Sequence, residues 1–491
     1  MTRRPLRSPL LSLFSLSLAC GSTAAPSDSG IDSGIDAAID AGSDASRPDA
    51  GPAPEWPGRL EPATALGMRR TRRIARSIVH LHSPLSHDAC DGEGWVDGAL
   101  ADPECLQHFR DSLCALHIDA AMVTDHAPHV NEVDFRGALW IAGDDEPILA
   151  TDGSVIASRM ACPGGHRVLL TVGSENALMP LGLTRHPADP ADLPALEQAY
   201  DTDGPAGVAL FQAAGALVWQ AHTEGRPLDE LRTLGLDGLE IYNLHANVDP
   251  RIRENDLGLP PLDFLDELLW FSQGSSRLPP DLAVLAFLSV NQNSLDKWDA
   301  LLAEDIRVTG TGGCDAHENA LPMILADGER ADSYRRMMSW ISNHLLVDDT
   351  TPEAIDEALE RGRLYVTSEV FGSPVGFDFV AESGGESFEM GEDAPAGATL
   401  RVARPALPAG FPSEPAPLLT LRLLRSTAAG AVEVATSTTG DLAFVADQAG
   451  AYRAEVRMVP EHTRPFLGRR ADALIREVVW VYSNPIFVTA P

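Results

Sequence analysis

The sequence predicts an α/β fold, a β/α barrel followed by a C-terminal antiparallel β-sandwich. From about residue 70 to 370, short apolar runs alternate with amphipathic stretches, a pattern typical of parallel strands linked by helices. Histidines and acids fall in short clusters at the ends of these runs. Such clusters meet only where parallel strands end together, as on one face of a barrel. From 371 to 491 helical periodicity vanishes, and short β-rich runs alternate with Pro/Gly turns.

Residues 1–20 have the features of a bacterial lipoprotein signal peptide. Basic residues precede an apolar stretch from Leu10 to Ala19, and Cys20 follows as the residue that would be lipidated. Ser17 stands where such signals usually carry Leu, so ordinary signal cleavage nearby is the alternative. We therefore expect an exported protein of the bacterial cell envelope, in the periplasm or on the outer surface. Its contact with the membrane would be through the lipid anchor alone.

A linker is predicted for residues 21–58. Aspartates recur every four residues from Asp28 to Asp44 among Ser, Gly and Ala, and a Pro-rich stretch follows through Pro57. Such a segment has little to bury and repels itself, which predicts disorder. A calcium-binding repeat is the less favoured reading, because the alternating ligands and the closing Glu of a calcium loop are absent.

The barrel, residues 70–370, is predicted from its strands and from the helices between them. Amphipathic helices are expected at Pro103–Leu116 and Asp263–Phe271, and a further helix is expected from Pro352 to about Arg361, with Thr351 as its cap. The predicted strands are Ile74–His82, Ala120–Thr124, Val168–Val172, Ala216–Ala221, Gly238–Tyr242, Ala283–Val290 and Arg307–Thr311. In the sandwich they are Thr399–Val402, Leu418–Leu424, Leu442–Ala446, Tyr452–Val459, Glu477–Tyr482 and Ile486–Val488.

The charge of the chain argues against a nucleic-acid partner. The formal net charge is -34, although the hydrophobic content of 44% and the charged content of 22% are ordinary for a globular protein. Phosphate backbones would be repelled by such a surface. The basic cluster Arg69–Arg73 is short, and a solvated lead-in to the first strand explains it better than a binding patch.

Cysteine spacing disfavours a cysteine zinc site or a thioredoxin-like motif. No two of the five cysteines after Cys20 have CxxC spacing, and export permits disulfides. The odd count leaves one thiol over, for which Cys314 is the candidate. The pairing of the other four is left open.

Imidazole and carboxylate groups fall in short clusters that can supply the ligands of a multinuclear metal site. His80 and His82 lie two apart on a strand, so both point to one side and can share an ion. These residue types suit borderline divalent metals. The clusters, in chain order, are His80-Leu81-His82, His87-Asp88, Thr124-Asp125-His126, Gly173-Ser174-Glu175, Ala221-His222 and Cys314-Asp315-Ala316-His317.

The ordered motifs HLHSPLSHD, VTDH, VGSEN, QAHTE and CDAH, between residues 80 and 317, resemble those of the PHP superfamily, named after polymerase and histidinol phosphatase. The resemblance implies a distorted seven-stranded, TIM-like β/α barrel with two or three metal ions on its C-terminal face. A β-rich tail that ends near Ser483-Asn484-Pro485-Ile486 also looks like exported PHP hydrolases of the carbaryl-hydrolase type.

The resemblance also implies a role for each residue of the motifs. The first ion would be held by His80, His82, Glu175 and Asp315, the second by Glu175 and His222, and the third by His87, His126 and His317. Asp125 and Asp88 would orient or replace ligands, and a loop-capping role for Asp88 is equally good. The family's usual His shortly after the bridging Glu is missing, and His186 is the possible substitute.

Several polar residues near the motifs have open roles. Asn243 could line the site, whereas Glu240, earlier in the same strand, is expected to brace the barrel. The histidines that could touch substrate or be bystanders are His129, His166 and His245. Arg251 and Arg253 could bind an anionic substrate group or be ordinary exposed helix arginines.

The function implied is metal-dependent ester hydrolysis. Two or three Zn, Mn or Fe ions would provide a bridging hydroxide that attacks a phosphate ester or, less favoured, a carboxyl or carbamate ester of a small molecule. Asp125, Asp315 and Glu175 are the expected catalytic residues. A serine hydrolase is disfavoured because the sequence has no GxSxG motif. The non-enzyme alternative is a surface lipoprotein whose barrel has decayed into a metal-binding or docking module.

Overall fold

The computed structural model describes residues 56–58, 60–272 and 278–490. The predicted signal peptide, Cys20 and the linker up to residue 55 lie outside these ranges. Among the described residues no helix is both long enough and apolar enough to cross a membrane. The described part is a mixed α/β structure with several sheets.

Strands and helices are interspersed along the chain up to residue 367. The strands are Met68–Arg69 (β1), Arg72–Leu81 (β2), Trp95–Val96 (β3), Ala99–Leu100 (β4), Ala120–Val123 (β5), Glu146–Leu149 (β6), Val155–Ala161 (β7), Arg167–Val172 (β8), Met179–Leu181 (β9), Leu217–Gln220 (β10), Gly238–Asn243 (β11), Thr309–Gly313 (β12), Ser342–Val347 (β13) and Leu364–Thr367 (β14). The helices are Pro103–Ala115 (α1), Leu193–Tyr200 (α2), Gly204–Ala213 (α3), Leu228–Leu234 (α4), Pro250–Asn255 (α5), Phe264–Leu268 (α6), Gln292–Ala303 (α7), Tyr334–Trp340 (α8) and Pro352–Glu360 (α9).

After residue 370 the chain is dominated by strands, with two short helices. The strands are Asp378–Ser383 (β15), Glu386–Phe388 (β16), Asp393–Ala394 (β17), Ala398–Ala403 (β18), Leu418–Thr427 (β19), Gly430–Ser437 (β20), Leu442–Ala446 (β21), Gly450–Val459 (β22), Val478–Ser483 (β23) and Ile486–Val488 (β24). The helices are Arg464–Leu467 (α10) and Ala471–Leu474 (α11).

Two sets of three parallel strands carry the predicted clusters at their C-terminal ends. In one set β2 pairs with β5 and β5 with β8. In the other β10 pairs with β11 and β11 with β12. Leu81, at the end of β2, bridges in parallel to Ala316 just beyond β12, and this bridge joins the sets on one side. On the other side β9 runs antiparallel to β10, and Val172 bridges to Leu183.

The start of β2 leads into the C-terminal half of the chain. Residues 73–77 of β2 pair antiparallel with β13, β13 pairs with β14, and β14 pairs with β23. One sheet of 14 strands therefore runs from β6 to β17 across position 370. A second sheet of 4 antiparallel strands, in the order β16-β15-β18-β21, is formed after residue 370.

Two buried asparagine side chains pair with the free edge of β12. The side-chain amide of Asn343 both accepts from Gly312 N (2.9 Å) and donates to Gly312 O (2.8 Å). Asn484 does the same with Gly310, at 2.8 Å for each bond. Both asparagines thus satisfy backbone groups that would otherwise be buried without partners. A Cβ on Gly312 would lie 2.5 Å from Val366, so only glycine permits this close approach.

A fully buried ion pair joins α7 to β22. Both nitrogens Nε and Nη2 of Arg453 donate to Asp299, at 3.0 and 2.8 Å, while Nη1 donates to Glu455 at 2.7 Å. Ser426 Oγ also donates to Asp299 at 2.5 Å. The Asp299 and Glu455 carboxylates therefore compensate the buried guanidinium, and each group depends on the others.

Four features differ from the sequence-based expectations or refine them. Ala283–Val290 is not a strand: residues Pro280–Ala286 form a buried 3-10 helix, because an apolar run buried on all sides has no periodicity that distinguishes strand from helix. The basic cluster is only partly solvated: Arg70 is exposed and Arg69 is buried, and Arg70 and Arg72 form ion pairs with Glu389 at 2.7 and 3.0 Å. Trp56, within the predicted linker, is buried against Phe411 and Phe466.

The fourth feature is the cysteine pairing. Disulfides join Cys90 to Cys105 and Cys114 to Cys162. Cys314 is buried and unpaired, as the odd count predicted.

Candidate metal centre

The predicted clusters lie at one end of the two sets of parallel strands. His80 and His82 stand at the end of β2, and their Nε2 atoms are 3.0 Å apart. Glu175 follows β8, His222 follows β10, and Asp315 follows β12. The parallel bridge between Leu81 and Ala316 holds the first and last of these segments side by side. The pairing of the strands thus brings residues 235 positions apart to one place.

Glu175 lies at the centre of the site. One oxygen, Oε2, is 3.0 Å from His80 Nε2, 3.2 Å from His82 Nε2 and 3.4 Å from His126 Nε2. The other oxygen, Oε1, is 3.5 Å from His222 Nε2. The two oxygens of one carboxylate therefore face two different groups of imidazoles, as a bridging ligand requires.

Asp315 also faces two groups. Its Oδ1 is 3.3 Å from His80 Nε2 and 3.4 Å from His82 Nε2. Its Oδ2 is 3.1 Å from His222 Nε2 and 3.2 Å from His245 Nδ1. The backbone of Asp315 has a positive φ of 52°, and its N–H donates to His80 O at 3.1 Å. That backbone turn points the carboxylate back toward β2.

Among the residues that the structure describes, three overlapping groups of donor atoms are compact enough to hold metal ions. They are His80, His82, Glu175 and Asp315; His82, His126 and His317; and His245, Asp315 and His317. Within each group all donor atoms lie within 4.8 Å of one another. The rings of His82 and His317 stack with 3.7 Å between centroids, so the first two groups are adjacent.

The hydrogen bonds of these side chains leave donor atoms that a cation would satisfy. Asp315 Oδ1 and His317 Nε2 are buried without a hydrogen-bond partner. The Nδ1 of His80 is 2.7 Å from the acceptor-only carboxylate of Glu240, so Nδ1 carries a proton and Nε2 is free to offer a lone pair. That lone pair would point at Glu175 and at His82 Nε2. A shared divalent cation fits this arrangement, whereas neutral rings alone do not.

The charges of the site shift the pKa values of its histidines in opposite directions. Burial by itself lowers the pKa of His80, but the carboxylates of Asp315, Glu175 and Glu240 outweigh it and raise that pKa well above its usual value. Burial is likewise outweighed at His82, where Asp315 and Glu175 raise the pKa to about 9. At His317 burial and the neighbouring charge of His82 lower the pKa to about 3. Protons or metal ions are therefore held mainly near the two carboxylates.

The carboxylates have pKa values that keep them ionised. Burial by itself raises the pKa of Glu175 and of Asp315, but the surrounding histidines outweigh it and hold both pKa values well below their usual range. Asp88 is also held at a pKa of about 2, because His317 and His126 outweigh its burial. Its oxygens lie 3.5 Å from His317 Nε2 and 3.8 Å from His126 Nε2.

Glu240 orients the side chains of the site, a role beyond the bracing role expected from the sequence. It accepts from His80 Nδ1 through Oε1, and through Oε2 it accepts from the backbone N–H of His222 and from Asn243 Nδ2, both at 3.0 Å. A Cβ on Gly313 would lie 2.0 Å from its Oε1. The glycine at the end of β12 therefore makes room for a carboxylate that fixes two ligands at once.

Four predicted site residues are placed differently from the central ligands. Asp125 accepts from Ser83 N and Oγ, both at 2.6 Å, so it holds the loop after β2; burial raises its pKa to about 6. His87 is exposed, with its ring centroid 5.2 Å from that of His126. Both ring nitrogens of His186 are engaged, by Tyr200 Oη at 2.8 Å and by Val133 O at 3.0 Å. Asn243 lies in the site wall and donates to Asp315 Oδ2 at 3.3 Å.

The arginines after β11 have separate positions. Arg253 is buried and donates to Asn247 O, Pro260 O and Asp263, so it supports the loop structure. Arg251 is exposed on α5. Arg253 is therefore not the exposed helix arginine that the sequence suggested, nor is it available to a substrate.

Comparisons with known proteins give weak likenesses only. No family model matches this chain, and no curated protein matches it. It is similar to a two-domain protein from Bacteroides vulgatus ATCC 8482 that contains a predicted PHP-like metal-dependent phosphoesterase. The TM-score is 0.31 and the identity 11%, over 88% of this chain and 100% of that one. It is also similar to PsfC from Pseudomonas syringae PB-5123, with a TM-score of 0.31 and 14% identity, over 58% of this chain and 88% of that one. At these TM-scores neither likeness carries an argument about function.

Proposed function

We propose that this protein is a metal-dependent hydrolase of the PHP superfamily that cleaves ester bonds, with phosphate esters as the favoured class. The observation that carries the proposal is the convergence of His80, His82, Glu175 and Asp315 on one point, with two further donor groups sharing these residues. Overlapping groups that share donor residues, among them the carboxylate of Asp315, suit two or three ions a few Å apart.

The barrel is part of the same proposal. Its distorted seven-stranded ring would consist of β2, β5, β8, β9, β10, β11 and β12. Single bridges, at Leu81 and at Val172, would close the ring at two places. The sheets formed after residue 370 would be the sandwich, for which 371 is the proposed start. The ion pair between Arg453 and Asp299 supports a sandwich fixed firmly to the barrel.

The donor set favours Zn, Mn or Fe. Its atoms are imidazole nitrogens and carboxylate oxygens, and the buried Cys314 donates its thiol to His80 O at 3.2 Å instead of joining them. Two or three such ions, when bound, would supply Lewis acidity and a nucleophile active near neutral pH.

The protein's own residues would orient the ligands and leave one side of the site open. Glu240 fixes the proton of His80 on Nδ1, and Glu224 does so for His222, with Oε1 2.9 Å from Nδ1. His126 and His222 keep 20% and 29% of their side chains exposed, whereas His80 and His82 are fully buried. A substrate would therefore reach the site from the side of His126 and His222.

The location of the protein and its partner are part of the same proposal. Export to the bacterial cell envelope, with a lipid on Cys20, is supported by the two disulfides, which persist in oxidising compartments. A small-molecule ester is proposed as the partner, and a nucleic acid is not, because the net charge of -34 would repel it.

The proposed function is tested with three chromogenic esters, a phosphate monoester, a phosphate diester and a carboxyl ester. We expect turnover of at least one ester, loss of that turnover on chelation, and its return when Zn, Mn or Fe is added back. The preferred ester sets the class. If metal binds but none of the esters is cleaved with any of the three metals, hydrolysis is wrong and the decayed metal-binding lipoprotein becomes the better account.

A further inference from the structure

His245 lies beside His222, Glu175 and Asp315, a group of possible metal ligands in which the family's usual histidine after Glu175 is missing. His222 Nε2 faces both Glu175 Oε1, at 3.5 Å, and Asp315 Oδ2, at 3.1 Å. An ion bound by these three atoms would have three protein ligands and would lack a fourth. His186, the candidate for a fourth, uses both ring nitrogens in hydrogen bonds elsewhere.

The position of His245 completes this group. Its Nδ1 lies 3.2 Å from Asp315 Oδ2, the same oxygen that His222 contacts, and the two rings are 6.3 Å apart between centroids. Ligand atoms at about 2.0–2.1 Å from a zinc ion in tetrahedral geometry are about 3.3–3.4 Å from one another. The separations of 3.1 Å between His222 and Asp315, 3.2 Å between His245 and Asp315 and 3.5 Å between His222 and Glu175 are in the range of neighbouring ligand atoms.

The loop that carries His245 is held firmly. Leu244 N donates to Gly313 O at 2.9 Å, which ties the loop to β12 immediately before Cys314 and Asp315. Asn243 Oδ1 accepts from Ala246 N at 2.9 Å, and Asn247 Nδ2 donates to Asn291 at 2.7 Å. A ligand on such a supported loop keeps its distance to Asp315, which a metal site needs.

His222 is likewise fixed with its free nitrogen toward this point. Glu224 is buried and accepts from Nδ1, so Nε2 of a neutral ring turns a lone pair toward two carboxylate oxygens. A cation between the lone pair of His222 Nε2 and the two carboxylate oxygens would remove the repulsion among these three atoms. His245 at the same point adds a second neutral donor without adding charge.

We propose that His245 is a ligand of a second metal ion, together with His222, Glu175 Oε1 and Asp315 Oδ2. His245 and His222 are 25% and 29% exposed whereas His80 is fully buried, so this ion would exchange before the ion at His80 and His82. The inference rests on the metal centre of the proposed function and is independent of whether the centre hydrolyses esters.

The test compares His245→Asn with the wild-type protein and with His108→Asn, which removes an exposed histidine from α1. Metal per chain is measured by elemental analysis after dialysis, and affinity by titration with Co²⁺. We expect His245→Asn to lose one equivalent, or to bind it at least about 10-fold more weakly, while the remaining ions and the thermal midpoint are retained. His108→Asn should match the wild type.

A second variant covers the case in which His245→Asn unfolds. In His245→Cys a thiolate would stand at the ligand position, and Co²⁺ should then show a sulfur-to-cobalt charge-transfer absorption that the wild type does not show. Unchanged stoichiometry and affinity in a folded His245→Asn protein, or no such absorption in His245→Cys, would overturn the assignment. If the wild-type protein itself binds no metal, the proposed metal centre is wrong. If the wild-type protein binds metal but the variants show one of these results, only the assignment of His245 is wrong.

Discussion

Asp315→Asn is expected to abolish turnover and to lower the metal content by at least one ion per chain. Like Glu175, Asp315 has two oxygens that face different groups, Oδ1 toward His80 and His82 and Oδ2 toward His222 and His245. Asparagine has the same shape and tolerates the positive φ at this position. Even residues that only orient a ligand cost about 10–100-fold when replaced, so the loss here should exceed about 100-fold.

The measurements are metal per chain, the rate on the preferred ester, and circular dichroism with a thermal melt. The matched control is Asp305→Asn, since Asp305 also has a positive φ, of 60°, but is exposed at the end of α7. The control should keep full metal content and rate. An Asp315→Asn protein that retains both would show that Asp315 is not a ligand.

Arg453→Met is expected to destabilise the protein by about 3–5 kcal/mol, because it leaves the buried carboxylate of Asp299 without its cation. The arginine and Asp299 are 2% and 0% exposed, so water does not replace the lost partner. Since this pair joins α7 to β22, the loss should appear as a lower midpoint in urea unfolding of the whole chain.

Arg457→Met provides the comparison, as Arg457 pairs with Glu455 and Glu477 while 23% exposed, and should cost below about 1 kcal/mol. Removing the charge of Asp299 as well, in Arg453→Met with Asp299→Asn, should recover part of the stability. Equal midpoints for Arg453→Met and Arg457→Met would contradict the buried ion pair.

Much of the fold could be predicted because its strands are short apolar runs with clear ends. Six of the seven strands expected before residue 370 are present, and Ile486–Val488 has the predicted bounds. The strand predicted at Ala283–Val290 is absent, since burial on all sides removes the periodicity that separates strand from helix. The pairs of Arg70 and Arg72 with Glu389 could not be predicted either, because no local spacing connects residues over 300 positions apart.

The site could be predicted where two or more donors share a motif. A spacing of two residues identifies His80 and His82 as a pair of donors, and the same spacing identifies Asp315 and His317. Glu240 and His245 are single residues in a stretch without such spacing, and only the pairing of β11 with β12 brings Glu240 beside Gly313 and His245 beside Asp315. Their roles could not be derived from the sequence.

The most direct test of the central claim is the metal content of the wild-type protein, purified without chelator and measured by elemental analysis. The shared donors of the three groups predict two to three equivalents of Zn, Mn or Fe per chain. Less than one equivalent, even after incubation with each of these metals, would contradict a metal centre at His80, His82, Glu175 and Asp315.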